Sequence, residues 1–204
     1  MQIRRLGGAY GGKISRSTQI ACAAALAAHL LNRTVRFIMT IEANMTVVGK
    51  RFACINDYDV EVDDNGKITK LTNDFVEDSG CSPNEPVQFS TPEFFSSCYD
   101  KRTYTVNAKN AITDAPSNTW CRAPGSVEGI AMIENIMDHI ARKTNKEPTE
   151  VRLMNMADGI GMKTCFNDFI KSVGEFMDNN IIYEHLNSSA LMYFRLSCTQ
   201  KDYR

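Results

Sequence analysis

Gly7-Gly8-Ala9-Tyr10-Gly11-Gly12-Lys13 is the stretch on which the reading of this chain turns. It lies between an apolar, strand-like segment, Met1 to Leu6, and a run rich in alanine and leucine, Ile14 to Leu31, that reads as a helix. Four glycines in six positions let the backbone turn sharply and approach a ligand closely. The unpaired N–H groups that open the following helix favour an anion. A cradle for a phosphate or a pterin phosphate at a strand-to-helix turn is the reading that follows.

Two other readings of the stretch stand beside it. Gly7, Gly12 and Lys13 have the spacing of a nucleotide-binding P-loop, but the next residue is Ile14, which has no hydroxyl to hold magnesium. A glycine-rich turn that only makes room for helix packing has the same composition.

Working outward, 204 residues suffice for one sizeable domain or two small ones, with ordinary hydrophobic and charged content and hence a packed core. Lys and Arg total 23 against 24 Asp and Glu, without a dense basic cluster, which argues against nucleic acid as the partner. Seven cysteines are scattered without a C-x-x-C pair, the pattern of a reduced, intracellular chain that holds neither zinc nor an iron–sulfur cluster. The apolar run Ile20 to Leu31 is too short to span a membrane.

The Ile14 to Leu31 helix is apolar around most of its circumference, the pattern of a helix buried in a larger body. Val35 to Met39 reads as a buried strand and Ile41 to Val48 is ambiguous. Phe52 to Val62 alternates, Asp64-Asn65-Gly66 is a hairpin turn, and Ile68 to Val76 returns with Lys70, Thr72, Asn73 and Asp74 on a solvated face. Ser79 to Pro92 reads as a loop or broken helix, and Arg102 to Ile112 as a strand. An amphipathic helix follows, with Val127, Ile130, Ile133, Met137 and Ile140 on its apolar face and Glu128, Glu134, Asn135 and Asp138 opposite. Pro148 opens another helix, and Phe166 to Met177 forms a further one in which Glu175 is exposed. The class is α+β, a mixed α/β arrangement.

The loop Ser117-Asn118-Thr119-Trp120-Cys121-Arg122-Ala123-Pro124-Gly125 shares the architecture of the glycine loop: strand end, tight turn, helix start. Such ends converge on one ligand in open α/β sheets, and Arg122 has the planar fork that clamps a phosphate or oxyanion. An arginine paired with a surface carboxylate is the plainer alternative.

Arg5 to Lys13, then Pro116-Ser117-Asn118-Thr119 leading to Arg122, then Glu150-Val151-Arg152 and Asn155 resemble, in order and separation, the molybdenum hydroxylases, the family of xanthine dehydrogenase and aldehyde oxidase. The resemblance covers about Gln2 to Gly174, and Trp120 to Ser126 looks most like aldehyde oxidases of insects. It implies that residues 1–187 are part of a molybdopterin-binding domain incomplete at both ends, with 188–204 unassigned. Tyr10 and Gly11 match loop positions that contact the molybdenum–molybdopterin cofactor through the backbone, and Arg122 matches the arginine beside it.

The substrate-pocket positions depart from the purine pattern. Ile14 stands where a purine-binding glutamate is expected, Ser90 where a second purine-contacting arginine aligns, and Pro124 where a phenylalanine stacks on substrate. Loss of polar partners penalises a purine, so the pocket suits an aldehyde. The implied reaction oxidises an aldehyde to its carboxylic acid with water as the oxygen source, and passes electrons through 2Fe-2S clusters and FAD to oxygen. The catalytic glutamate, the clusters and the flavin are expected elsewhere in the same, larger polypeptide, in a cytoplasmic homodimer that binds neither membrane nor nucleic acid. A purine hydroxylase with an altered pocket and a non-catalytic binding module that keeps the fold are the competing readings.

Overall fold

The computed structural model describes residues 5, 7–12, 14–85, 89–159 and 161–174. The expected first strand, except Arg5, lies outside the described residues, as do Lys13, Glu175 and the segment 188–204. Among the described residues six α-helices and three strands follow in the order α1 (Ser17–Leu31), α2 (Ile41–Val47), β1 (Cys54–Val62), β2 (Ile68–Asp78), α3 (Thr91–Phe95), β3 (Tyr104–Ala111), α4 (Ser126–Thr144), α5 (Pro148–Asn155) and α6 (Met162–Gly174). The strands form one sheet in the order β1-β2-β3.

The hairpin is where the Asp64-Asn65-Gly66 signal puts it. Gly66 takes φ +82° and its N–H donates to the Asp63 carbonyl at 2.9 Å, while the Asp63 carboxylate accepts from the N–H groups of Asn65 and Lys67. Strand β2 departs from the expected solvated face in one respect: Asn73 is fully buried. Residues 35–39 are not a strand. Among the described residues the sheet has three strands only, so an extended segment there lacks a ladder for its N–H and C=O groups. The chain instead runs irregularly to Thr40, whose hydroxyl accepts from the Ala43 N–H at 3.2 Å and so starts α2.

The chain divides into two compact units: residues 1–59, 72–95 and 105–130, and residues 60–71, 96–104 and 131–204. The second has an apolar interior. Ile68 and Leu71 of β2, Met132, Ile133, Ile136, Met137, Ile140 and Ala141 of α4, and Val151 of α5 are buried there. The buried stripe on α4 keeps the expected helical period but lies slightly around from the expected face, because Ile130 is 40% exposed. Asn155 closes this unit from within: its amide donates to the carbonyls of Gly66 and Val151 and its oxygen accepts from the Ile68 N–H, at 2.8–2.9 Å. Arg152 bridges Glu134 (2.8 Å) and Asp138 (2.7 Å) across one face of α4.

The first unit differs in kind. Beside Val48, Phe52, Phe75 and Phe95, its buried residues include Asn73, Glu77, Ser79, Thr91, Ser117, Asn118, Thr119 and Glu128. Buried polar groups are costly unless partnered, so they tend to mark a place where geometry matters more than stability. Helix α1 has no buried residue, although Leu26, Leu30 and Leu31 are apolar and at least 60% exposed.

Candidate functional site

The Ser-Asn-Thr motif of residues 117–119 is an internal anchor. All three side chains are about 1% exposed. Asn118 donates through its amide to the Asp78 carbonyl (2.6 Å) and through its backbone N–H to the Ser79 carbonyl (3.1 Å). The Thr119 N–H donates to the Lys50 carbonyl at 3.0 Å, and Ser117 and Ser82 share a hydroxyl hydrogen bond at 2.6 Å. Two glycines let backbones close on the motif. A Cβ at Gly49 would sit 2.1 Å from the Ser117 carbonyl oxygen, and one at Gly80 2.2 Å from that of Pro116.

The loop before α3 adds a second brace. Glu85 accepts from the Thr119 hydroxyl (2.7 Å) and from the Trp120 N–H (3.1 Å). Burial alone would raise its pKa, but these bonds and one from Ser15 outweigh it, and the carboxyl lies below its ordinary range. Asn84 ties the same loop to Ser15 and to the Asn118 carbonyl.

From this anchor the chain enters the turn that carries Arg122. Arg122 and Ala123 take φ +22° and +56°, and Gly125 takes +76°. Left-handed backbone costs a non-glycine residue about 1 kcal/mol or more, so two in succession mark a turn held by its surroundings. The Arg122 N–H donates to the Tyr10 carbonyl at 2.6 Å, and its guanidinium stands 5.7 Å from the centroid of the Tyr10 ring. Gly11, at φ +88°, packs on the Trp120 carbonyl, 3.5 Å from where its Cβ would be.

The structure therefore brings together three of the residues singled out from the sequence: Tyr10, Gly11 and Arg122. Ser90 also arrives, since a Cβ on Gly125 would lie 2.3 Å from its hydroxyl, and Pro124 is the half-buried neighbour of that glycine. Ile14 joins through its backbone, donating to the Gly11 carbonyl at 3.0 Å, while its side chain is 64% exposed. Among the described residues Arg122 has no ion pair, so the surface-carboxylate alternative is not what the structure shows.

Two residues of this place were missed in the sequence. Arg51 donates to a Glu128 carboxylate oxygen at 2.8 Å and to the Arg122 carbonyl at 2.5 Å. Glu128, expected on the polar side of its helix, is 7% exposed. Glu77 is fully buried close by and accepts from Thr91 at 2.7 Å; its second oxygen and that of Glu128 have no hydrogen-bond partner. Burial, and then the Glu128 charge, raise the Glu77 pKa against the pull of Thr91. The Cys54 thiol is pushed up to about 12 by burial and by both carboxylates, which leaves it inert at neutral pH. A three-residue offset on α4 from the strained turn was the only available signal for Glu128, and nothing in the local pattern marks Arg51.

Residues 1–156 match the molybdopterin cofactor-binding domain family, and the chain belongs to it. It is 31% identical over 189 residues to an indole-3-acetaldehyde oxidase of Zea mays, covering 91% of this chain and 14% of that protein. It is 32% identical over 154 residues to xanthine dehydrogenase 1 of Arabidopsis thaliana, covering 74% and 11%. The chain thus spans less than a sixth of the length of these relatives. In fold it matches the aldehyde oxidoreductase of Desulfovibrio desulfuricans with a TM-score of 0.69 at 19% identity, over 83% of this chain and 20% of that one. The mixed α/β class expected from the sequence is the class of this domain.

A pterin cofactor fits the place described. Backbone of two loops meets at Gly11 and Trp120, and beside it stands an exposed guanidinium that has no carboxylate partner among the described residues. Among the described residues no group of three or more His, Cys, Asp or Glu is arranged to hold a metal ion, and no helix is long and apolar enough to cross a membrane.

Proposed function

We propose that this chain supplies part of the cofactor site of a molybdenum hydroxylase that oxidises aldehydes to carboxylic acids. The observation that supports this most directly is the convergence of Tyr10 and Arg122 through one backbone hydrogen bond and one stacked guanidinium. When bound, the molybdenum–pterin group supplies oxygen transfer from water and accepts two electrons.

The work of this chain's residues is to bind and orient. The backbone of Tyr10 and Gly11 would line the cofactor, and the Arg122 guanidinium beside them would neutralise an anionic group of it. Ile14 and Pro124 present apolar surface, and Ser90 a single hydroxyl, to a small aldehyde. Such a pocket gives a purine no set of polar partners, which favours an aldehyde over a purine substrate. The proton-transferring glutamate, the 2Fe-2S clusters and FAD belong on this reading to other parts of a larger, cytoplasmic, homodimeric polypeptide, of which 1–187 is a partial domain.

Replacing Arg122 by Ala in the native polypeptide that contains these residues tests the reading. Bound pterin and molybdenum per chain are expected to fall roughly tenfold, the loss of one charge-assisted contact. Unchanged occupancy and unchanged turnover would remove Arg122 from the site. Turnover of aliphatic aldehydes against hypoxanthine by the unmodified protein separates the aldehyde reading from the purine one.

A further inference from the structure

We propose that Arg51 is the positioning residue of the Arg122 turn, a clamp that carries the register of the α4 N-terminus to the glycine loop. The inference rests on the reading of Arg122 as the cofactor arginine. The peptide of Arg122 is held at both ends: its N–H donates to the Tyr10 carbonyl at 2.6 Å, and its carbonyl accepts from Arg51 Nη2 at 2.5 Å. The other arm of Arg51 goes to Glu128 at 2.8 Å. The residue so gripped has φ +22° and precedes a second left-handed residue, Ala123. Without an external tether such a pair relaxes toward ordinary backbone, and the Arg122 guanidinium leaves the Tyr10 ring.

The fork geometry is essential to the clamp. A guanidinium presents separate N–H groups in one plane and satisfies a carboxylate and a carbonyl at once. An ammonium is a point charge on a flexible stem and does not hold both in fixed directions. Glu128 is anchored in turn by its burial at the first turn of α4. A Cβ at the next residue, Gly129, would lie 2.7 Å from the Thr91 carbonyl oxygen, so α4 is packed too closely against α3 to slide. Arg51 thus transmits a fixed helix position to a strained turn, and a simple ion pair would not require the second arm.

Two variants and two readouts test this. In the native polypeptide, Arg51→Lys keeps the charge opposite Glu128 but loses the fork. The double variant Arg51→Met with Glu128→Gln removes the buried charge and the tether together, which keeps the test usable if a lone cationic replacement misfolds. The first readout is trypsin cutting between Arg122 and Ala123, followed by mass spectrometry; cutting tracks the open population of the turn. The second is pterin released per chain. Both variants are expected to speed the cut roughly tenfold and to lower bound pterin several-fold, while Arg51→Lys keeps the melting temperature. Wild-type cutting and wild-type pterin in Arg51→Lys would overturn the clamp, because charge alone would then suffice. A normal cut rate in the double variant would overturn it equally. If Arg51→Lys speeds the cut while Arg122→Ala retains its pterin, the clamp stands and the cofactor role of Arg122 falls.

Discussion

Glu77 shows how a single side chain couples this site to pH. It is fully buried, has one oxygen bonded to Thr91 and one without a partner, and lies near Glu128, itself paired with Arg51, and near Cys54. Its pKa in the folded chain is raised, by burial first and then by Glu128. The folded state therefore holds the proton more tightly than the unfolded chain. The stability this contributes is complete below the ordinary carboxylate range and is lost as pH rises through the folded value. Glu77→Gln is expected to flatten that decline and to stabilise the protein at pH 8 by about 1–2 kcal/mol, because the amide carries no charge to bury. Urea unfolding at about pH 5 and pH 8 measures it; an unchanged pH slope would show that Glu77 titrates normally.

At the scale of elements, the β1–β2 hairpin and α5 are locked by one amide. Asn155, 3% exposed, satisfies the Ile68 N–H and the Gly66 and Val151 carbonyls. Asn155→Ala takes this buried side-chain partner from the Ile68 N–H and the Gly66 carbonyl, and is expected to cost about 2–3 kcal/mol, read as a lower urea midpoint at constant m-value. The hairpin was legible beforehand because an Asn-Gly turn between alternating strands is a local signal. Helices α4 and α5 were legible for the same reason, through apolar period and a proline at the first position. The segment 35–39 was misread because β-branched and aromatic composition says nothing of whether a neighbouring strand exists to accept its hydrogen bonds. The polar face expected for β2 failed at Asn73, where tertiary packing overrides the alternation.

For the molecule as a whole, the interiors of the two units set a gradient of local stability. The unit containing most of α4 has an apolar core, whereas α1 carries no buried residue. A helix of 15 residues that is covered only partly, at Ile20, Ala24, Ala27 and Ala28, is marginal in water. Amide hydrogen exchange in the chain as it stands is expected to be at least a hundredfold faster in α1 than at residues 133–141 of α4, a difference of about 3 kcal/mol in local opening. Equal protection would mean that α1 is covered, and the surface at Leu26, Leu30 and Leu31 would be the place to look.

What the sequence by itself determined is local in origin: the glycine turn, the hairpin, the capped and amphipathic helices, and the resemblance to the family whose molybdopterin cofactor-binding domain residues 1–156 match. These follow from backbone freedom, turn chemistry and periodicity, which act over a few residues. Only the tertiary structure decided that Glu128 turns inward, that Ser117, Asn118 and Thr119 are anchors, and that Arg51, 71 positions before Arg122, grips its carbonyl. Those contacts join residues far apart in the chain, and a buried charge is tolerated only where a partner from another segment reaches it.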